Sequence, residues 1–347
     1  MHSTRLAVIG AGAIGRTHID RILRTPQLAL VGVADPTPAG EAVARAAGVP
    51  WFPDHRQLLE ATRPAGAVVA TPNATHVPVA SDCLAQGVGV LVKKPIADTV
   101  ADAQRLVDAE AAHKTPVLVA HHRRHNPINQ KAQALIAGGH LGRVVSATAL
   151  AMFLKPDSYF DAAWRRQAGG GPVLINLIHD IDMLRFLIGD IAEVQAIDSR
   201  AVRGFEVEDT AAAVLRFTNG ALGTVVVSDT VTSPWCWDFA AGEQPQYPRQ
   251  NAPSHLIAGT HGSLSLPDLA LWTYRGERHW HAEMTREQTM VHSADPYTRQ
   301  LQHFAAVVEG RESPLCSAQD GLRTLQATLA VHEAAAMGRA ISCTLPG

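Results

Sequence analysis

The first residues in this chain that could do chemistry are Val8-Ile9-Gly10-Ala11-Gly12-Ala13-Ile14-Gly15, a short apolar run that gives way to spaced glycines. At a strand-to-helix turn, Gly10 permits the tight bend, Gly12 lets a pyrophosphate approach the backbone, and Gly15 allows the helix to pack closely. The N–H groups opening that helix, around Ala13 and Ile14, lack intrahelical acceptors and lie at the positive end of its dipole. Glycines alone are equally compatible with a flexible turn. Asp35 strengthens the cofactor reading, because it ends the next apolar run about 20 positions later, where a carboxylate accepts from the adenosine ribose hydroxyls. A carboxylate there also repels a 2′-phosphate, and Pro36, Thr37 and Pro38 supply no arginine to neutralise one. The expected cofactor is therefore NAD, with NADP disfavoured. The alternative for Asp35 is a turn cap before Pro36.

Open α/β sheets bind ligands at the carboxyl ends of their strands. Two more such ends are polar here: Thr71-Pro72-Asn73-Ala74-Thr75-His76 and Lys93-Lys94-Pro95. Asn73 and Thr75 could instead cap the following helix, and the lysines could form a solvated turn. His121-His122-Arg123-Arg124-His125 follows the last strand of this half. On an extended segment these side chains point to opposite sides, so they cannot converge on one ion; a junction turn and no metal are expected. Further on, Gly169-Gly170-Gly171-Pro172 leads into a helical pattern over Ile175–Leu187. At helical spacing Asn176, His179, Asp180 and Met183 share a face, beside one carrying Ile175, Ile178, Asp182 and Arg185. A lone helical histidine is usually structural, but the glycine-rich lead-in and flanking carboxylates favour a functional one.

These residues need a scaffold. Apolar runs at Leu6–Ile9, Leu28–Ala34, Ala67–Ala70, Val88–Val92 and Val117–Ala120 alternate with helical patterns, which predicts βαβ units and a parallel sheet covered on both faces. Beyond residue 125, alternating runs at Val144–Met152, Val194–Ala201, Ala211–Phe217 and Leu222–Val227 predict a largely antiparallel sheet with helices on one face. The fold class is α/β, with an N-terminal doubly wound Rossmann domain over 1–122 and an α+β domain carrying an open sheet over 123–347. Ser233–Ser254 reads as a long functional loop.

With 347 residues, 46% hydrophobic, 18% charged and a formal net charge of −2, the chain suits two globular domains and gives no electrostatic reason for a nucleic-acid or membrane partner. Four scattered cysteines, Cys83, Cys236, Cys316 and Cys343, suggest neither a disulfide framework nor a zinc site. The short lead Met1–Thr4 lacks a signal n-region and no apolar stretch is long enough to span a membrane, so a cytoplasmic location is expected. A broad open sheet face favours a homo-oligomer, dimer or tetramer.

Taken in order, the glycine loop, Thr71-Pro72-Asn73 with His76, Lys93-Lys94-Pro95, and the Gly169–Gly171 run leading to His179 and Asp182 resemble the Gfo/Idh/MocA family of oxidoreductases over essentially the whole chain. Trp164-Arg165 and Asp295-Pro296-Tyr297 resemble family features too. The resemblance implies that Lys94 is the catalytic lysine of a Glu-Lys-Pro motif and His179 the active-site histidine. It places Thr71, Pro72, Asn73, His76, Lys93, Lys94, Trp164 and Arg165 around the cofactor. It places Lys94, Arg124, Asn176, His179 and Tyr297 around the substrate. Two positions depart from the pattern: Lys93 stands where the family has glutamate, and Ile175, with Asn176 beside it, where the family has aspartate. Proton transfer then falls mainly to His179.

The implied activity is NAD-dependent oxidation of a ring hydroxyl on a sugar, cyclitol or related cyclic polyol. An alternative is a carboxylated or aromatic-derived cyclic substrate of dihydrodiol or hemiacetal type, since Arg124, Arg165 and Arg166 could clamp a carboxylate while Trp235, Trp237 and Tyr247 offer flat surfaces or serve in packing. A non-catalytic NAD(P)-binding regulator is the alternative from another class.

Overall fold

Strands buried on both faces must be apolar at nearly every position, and the first apolar runs meet that condition: Leu6, Val8, Val33, Leu91 and Leu118 are 0% exposed. The computed structural model describes residues 3–343, so Met1, His2 and Thr344–Gly347, and the parts of the expected domains that they occupy, lie outside the described residues. By contact the chain divides into two units: residues up to His125 together with Ala294–Leu325, and Asn126–Ser293 together with the residues from Gln326 on.

In the first unit the strands are β1 (Thr4–Ile9), β2 (Leu28–Ala34), β3 (Trp51–Phe52), β4 (Gly66–Val69), β5 (Gly89–Lys93) and β6 (Val117–Ala120). They alternate with α1 (Ala13–Leu23), α2 (Pro38–Ala46), α3 (His55–Thr62), α4 (His76–Ala85) and α5 (Val100–His113). All pairings are parallel, in the order β3-β2-β1-β4-β5-β6. The order reverses between β1 and β4, which opens the crevice used for ligands in such sheets. Sequence patterning misses β3 and α3, because a two-residue strand has no period to detect; Asp54 starts α3 by accepting from the Arg56 N–H at 2.8 Å.

The sequence texture puts everything after residue 122 in one domain, yet Ala294–Leu325 packs with the first unit. Phe304 is the physical reason, for its ring is fully buried against the bare backbone of Gly66 on β4. A second difference concerns His121–His125. The turn lies at the boundary between the units, but it is not extended: His122–His125 forms one turn of 3-10 helix, and all five side chains are buried.

The second unit contains α6 (Pro127–Ala137), β7 (Val144–Met152), α7 (Ile178–Ile188), β8 (Ile191–Ser199), β9 (Thr210–Phe217), β10 (Leu222–Ser228), the short α8 (Trp237–Ala240), and β11 to β14 at His255–Gly259, Gly262–Leu266, Ala270–Tyr274 and Met284–Gln288. Helix α9 (Pro296–Val308) returns to the first unit, α10 spans Ala318–Met337, and β15 is Ile341–Ser342. The sheet order is β14-β13-β12-β11-β7-β10-β9-β8-β15, antiparallel except for β7 beside β10. Alternation puts Leu215, Val225, Val227 and Ile257 into a core with Leu177, Ile181 and Leu184. Among the described residues no helix is long and apolar enough to cross a membrane.

Candidate active site

The glycine loop joins β1 to α1. Gly10 has φ +94°, and a Cβ there would lie 2.7 Å from the Ala70 carbonyl oxygen. At Gly15 a Cβ would fall 1.9 Å from the Gly10 carbonyl oxygen, so the helix can close onto the turn only with glycine. Gly12 is the opposite case, exposed and facing open space with nothing within 4 Å of a Cβ position. It is the N-cap of α1 and no side chain caps that end, so the first-turn N–H groups of the exposed Ala13 and half-buried Ile14 face outward without a side-chain acceptor. An open, donor-rich helix start of this kind fits a pyrophosphate.

Asp35 follows β2. Its Oδ2 accepts from the Ala11 N–H at 2.7 Å, and its Oδ1 accepts from the Thr37 N–H at 2.9 Å and the Thr37 hydroxyl at 2.5 Å. Partial burial pushes the carboxyl up, but the Thr37 hydroxyl, these two N–H groups and the Arg16 charge together hold it below its ordinary value. Asp35 is thus an anion, with acceptor capacity left for a ribose hydroxyl.

After β4, the Thr71 hydroxyl oxygen is buried without a hydrogen-bond partner, an orphaned polar atom of the kind a ligand satisfies. Pro72 precedes a 3-10 turn over Asn73–Thr75. Neither Asn73 nor Thr75 caps α4: the Thr75 hydroxyl donates to the Pro72 carbonyl at 2.7 Å, and Asn73 Oδ1 accepts from Lys93 Nζ at 3.4 Å. His76 is fully buried, its Nδ1 2.9 Å from the Pro95 carbonyl oxygen and its Nε2 3.0 Å from that of Thr71. It braces this loop against the Lys94-Pro95 turn, where the peptide bond is cis, rather than facing a cofactor. Burial lowers the Lys93 pKa and Asp98 opposes the shift. Lys94 follows directly at the end of β5, half-buried.

Arg124 cannot clamp a substrate carboxylate from its observed place. It is 4% exposed, donates to the Leu315 carbonyl at 2.9 Å and lies 3.8 Å from Asp320. Tyr297 belongs to this first unit, half-buried and stacked on His122 with ring centroids 4.5 Å apart.

In the second unit, the glycine run has a physical cause that its sequence conceals. A Cβ on Gly171 would meet the Glu208 carboxylate at 2.3 Å. Glu208 uses that space to accept from the Val173 N–H at 2.9 Å, satisfying the start of the helix in place of a local cap. The helix then opens with a π turn over Val173–Leu177, the Ile178 N–H reaching back to the Val173 carbonyl, before α7 proper begins. The faces expected for Ile175 and Asn176 at α-helical spacing therefore do not hold. π turns are rare and concentrate at functional sites. His179 sits in the first turn of α7, half-buried, and Asn176 precedes it with a buried amide oxygen that has no partner.

Behind His179, Asp180 is 1% exposed with its Oδ1 3.3 Å from His255 Nε2, while His255 Nδ1 lies 2.9 Å from Ser254 Oγ. Sequence reasoning missed Glu208 and His255, whose partners Val173 and Asp180 lie dozens of positions away, and with His255 its neighbour Ser254. Arg185 pairs with Asp190. Arg165 stacks on Tyr159, its guanidinium 3.9 Å from the ring centre, beside Trp164, which is 51% exposed. Of the aromatic surfaces, Trp237 is core and donates to Glu243 at 2.8 Å, while Trp235 and Tyr247 are exposed.

Comparison with known proteins fits this frame. Residues 4–121 match the oxidoreductase family model with an NAD-binding Rossmann fold, and residues 133–343 match that family's C-terminal alpha/beta domain. The chain is 26% identical to scyllo-inositol 2-dehydrogenase (NAD(+)) of Bacillus subtilis, over 95% of this chain and 93% of that one. It is 29% identical to 1,5-anhydro-D-fructose reductase of Ensifer adhaerens, over 78% of each. A crystal structure of the WlbA dehydrogenase from Bordetella pertussis, in complex with NADH and UDP-GlcNAcA, superposes with a TM-score of 0.80 at 25% identity, covering 99% of this chain and 100% of that one. The chain belongs to the Gfo/Idh/MocA oxidoreductase family and is an NAD-dependent oxidoreductase.

Proposed function

We propose that the protein oxidises, reversibly, a ring hydroxyl of a sugar, cyclitol or related cyclic polyol. The observation that carries this reading is the presence in one chain of an open glycine loop with an anionic Asp35, a lysine at the end of β5 and a histidine at the head of α7. The two curated relatives named above, a scyllo-inositol dehydrogenase and an anhydrofructose reductase, support the substrate class.

Bound NAD supplies a hydride acceptor. The first-turn N–H groups of α1 would hold its pyrophosphate and Asp35 its adenosine ribose, with the Thr71 hydroxyl a further contact. Removing a carbinol hydride requires that the hydroxyl proton leave as well. His179 takes that proton. Lys94 orients the substrate oxygen and stabilises the charge developing on it. Asn176 offers an amide oxygen to a neighbouring substrate hydroxyl; unlike a carboxylate it cannot exchange a proton, which leaves that task to His179.

The test is NADH formation across a panel of cyclitols, aldoses and anhydrosugars, with carboxylated cyclic acids in parallel. Turnover of acids alone would replace the polyol reading. The structure weakens the acid alternative, because Arg124 and Arg165 are already engaged and only Arg166 of the three arginines is exposed. Tight NADH binding with no turnover of any substrate would favour the regulator.

A homo-oligomer and a cytoplasmic location complete the proposal. The outward face of the second sheet carries Ile197 (74% exposed), Val214 (50%) and Leu256 (50%), with Thr224 and Thr148 in register between Val214 and Leu256. A second copy laid on this face would cover it. Ile197→Lys with Val214→Glu should convert the assembly to monomer by light scattering, and an unchanged mass would refute this interface. All four cysteines are buried thiols outside any disulfide, in keeping with a reducing compartment.

A further inference from the structure

We infer that Gly40, with Thr37, is a specificity-determining residue for the cofactor: by making room for Asp35 against the first turn of α2, it fixes the ribose-recognising carboxylate in one position. An aspartate at the end of β2 discriminates against a 2′-phosphate only if it cannot swing aside. Here it cannot.

Asp35 is held on both its backbone and its side chain. Its N–H donates to the Phe52 carbonyl at 3.0 Å and its carbonyl accepts from Trp51 Nε1 at 2.9 Å, so the short β3 anchors the main chain. The Ala11 N–H ties one carboxylate oxygen to the glycine loop and Thr37 ties the other to α2. Thr37 is itself committed, because its hydroxyl oxygen also accepts from the Gly40 N–H at 3.1 Å as the N-cap of α2. At Gly40 a Cβ would lie 2.3 Å from Asp35 Cβ and 2.5 Å from its Cγ and Oδ1. Contacts that short involve the root of the side chain, so a flexible tip cannot relieve them. With the Asp35 backbone pinned by β3, relief requires the first turn of α2 to back away from Asp35, which draws Thr37 off the carboxylate and leaves it free to turn.

The experiment is equilibrium binding of NADH and NADPH to the full chain, followed by nucleotide fluorescence. Gly40→Ala should weaken NADH binding about ten- to a hundredfold, the range expected for losing hydrogen bonds to a charged group. NADPH affinity should hold or rise, so the preference for NADH narrows by at least about tenfold. Thr37→Val adds nothing near Asp35 but removes the hydroxyl, and should narrow the preference by less; Thr37→Ser should restore it. A folded Gly40→Ala protein with the wild-type NADH-to-NADPH affinity ratio overturns the inference. If Gly40→Ala does not fold, a wild-type ratio in Thr37→Val overturns it equally.

Discussion

Acidification from pH 8 to pH 5 should remove about 4 kcal/mol of stability through two histidines of the first unit, His18 and His125. His18 is 1% exposed and its Nδ1 has no hydrogen-bond partner; His125 is 4% exposed and its Nε2 has none. Protonating either ring would bury an N–H with no acceptor in view. Burial pushes His18 down to about 4, with His122 adding and Asp295 opposing, and it pushes His125 down to about 3, with His303 and His122 adding. Both folded values lie below the unfolded value near 6.5, so the unfolded chain binds the extra protons. The stabilisation is complete above about pH 6.5 and drains away as pH falls toward the folded values. At pH 5 the linkage amounts to about 2 kcal/mol for each ring, against a total of about 5–15 kcal/mol for a typical domain. Urea denaturation at pH 8 and pH 5 measures the loss, and His18→Gln, which cannot titrate, isolates one share of it. That variant should show a pH 8 to pH 5 drop smaller than wild type by about 2 kcal/mol. An identical drop in both proteins would refute the argument.

Lys94→Ala should lower kcat by about two to four orders of magnitude while NADH affinity changes no more than about threefold; near-wild-type turnover would remove Lys94 from the mechanism. Burial raises the Glu208 pKa, partly countered by His332 and the Val173 N–H, so the charged form costs stability as pH rises through the raised value. Glu208→Gln keeps an acceptor for Val173 and should melt at or above wild type at pH 8, whereas Glu208→Ala leaves that N–H unsatisfied and should lose about 1–3 kcal/mol. Equal losses in the two variants would show that the cap plays no part. Phe304→Ala should cost about 3–5 kcal/mol in chemical denaturation, the usual range for a buried phenylalanine, and a loss below about 1 kcal/mol would contradict its place against β4.

What could be read from the sequence was local. Strands β1, β2 and β4 to β6 are apolar at nearly every position, and the glycine loop and Asp35 lie on consecutive elements at a fixed spacing. The second sheet was legible only where burial alternates, as along β9, where every second residue from Ala211 to Phe217 is buried. Strand β14 reads Met-Thr-Arg-Glu-Gln on the sheet's edge, mostly exposed, and carries no such signal. The segment His121–His125 misled for a different reason. Arginine and histidine seldom go fully inside, and it takes the distant Leu315 carbonyl and Asp320 to help satisfy Arg124 there.

Glycines carry the cofactor motif, and the structure gives two others a different meaning. Gly40 and Gly171 stand in different units, have ordinary φ values, and match no turn requirement; yet at each a Cβ would come within 2.3 Å of a carboxylate-bearing side chain. In both places that carboxylate accepts a backbone N–H at or next to the start of a helix: Asp35 from Thr37 before α2, Glu208 from Val173 ahead of α7. An anion set against the positive end of a helix is favourable, but it needs a path between side chains, and a missing methyl supplies it. The carboxylate is close in sequence for Gly40 and far for Gly171, so only the first could have been suspected from spacing. Alanine at either glycine should harm what its carboxylate organises: cofactor choice at Gly40, and the helix carrying His179 at Gly171. Gly171→Ala should therefore depress kcat with NADH affinity intact, and Gly40→Ala the reverse. Matching losses of both quantities in both variants would mean that the glycines merely support the fold.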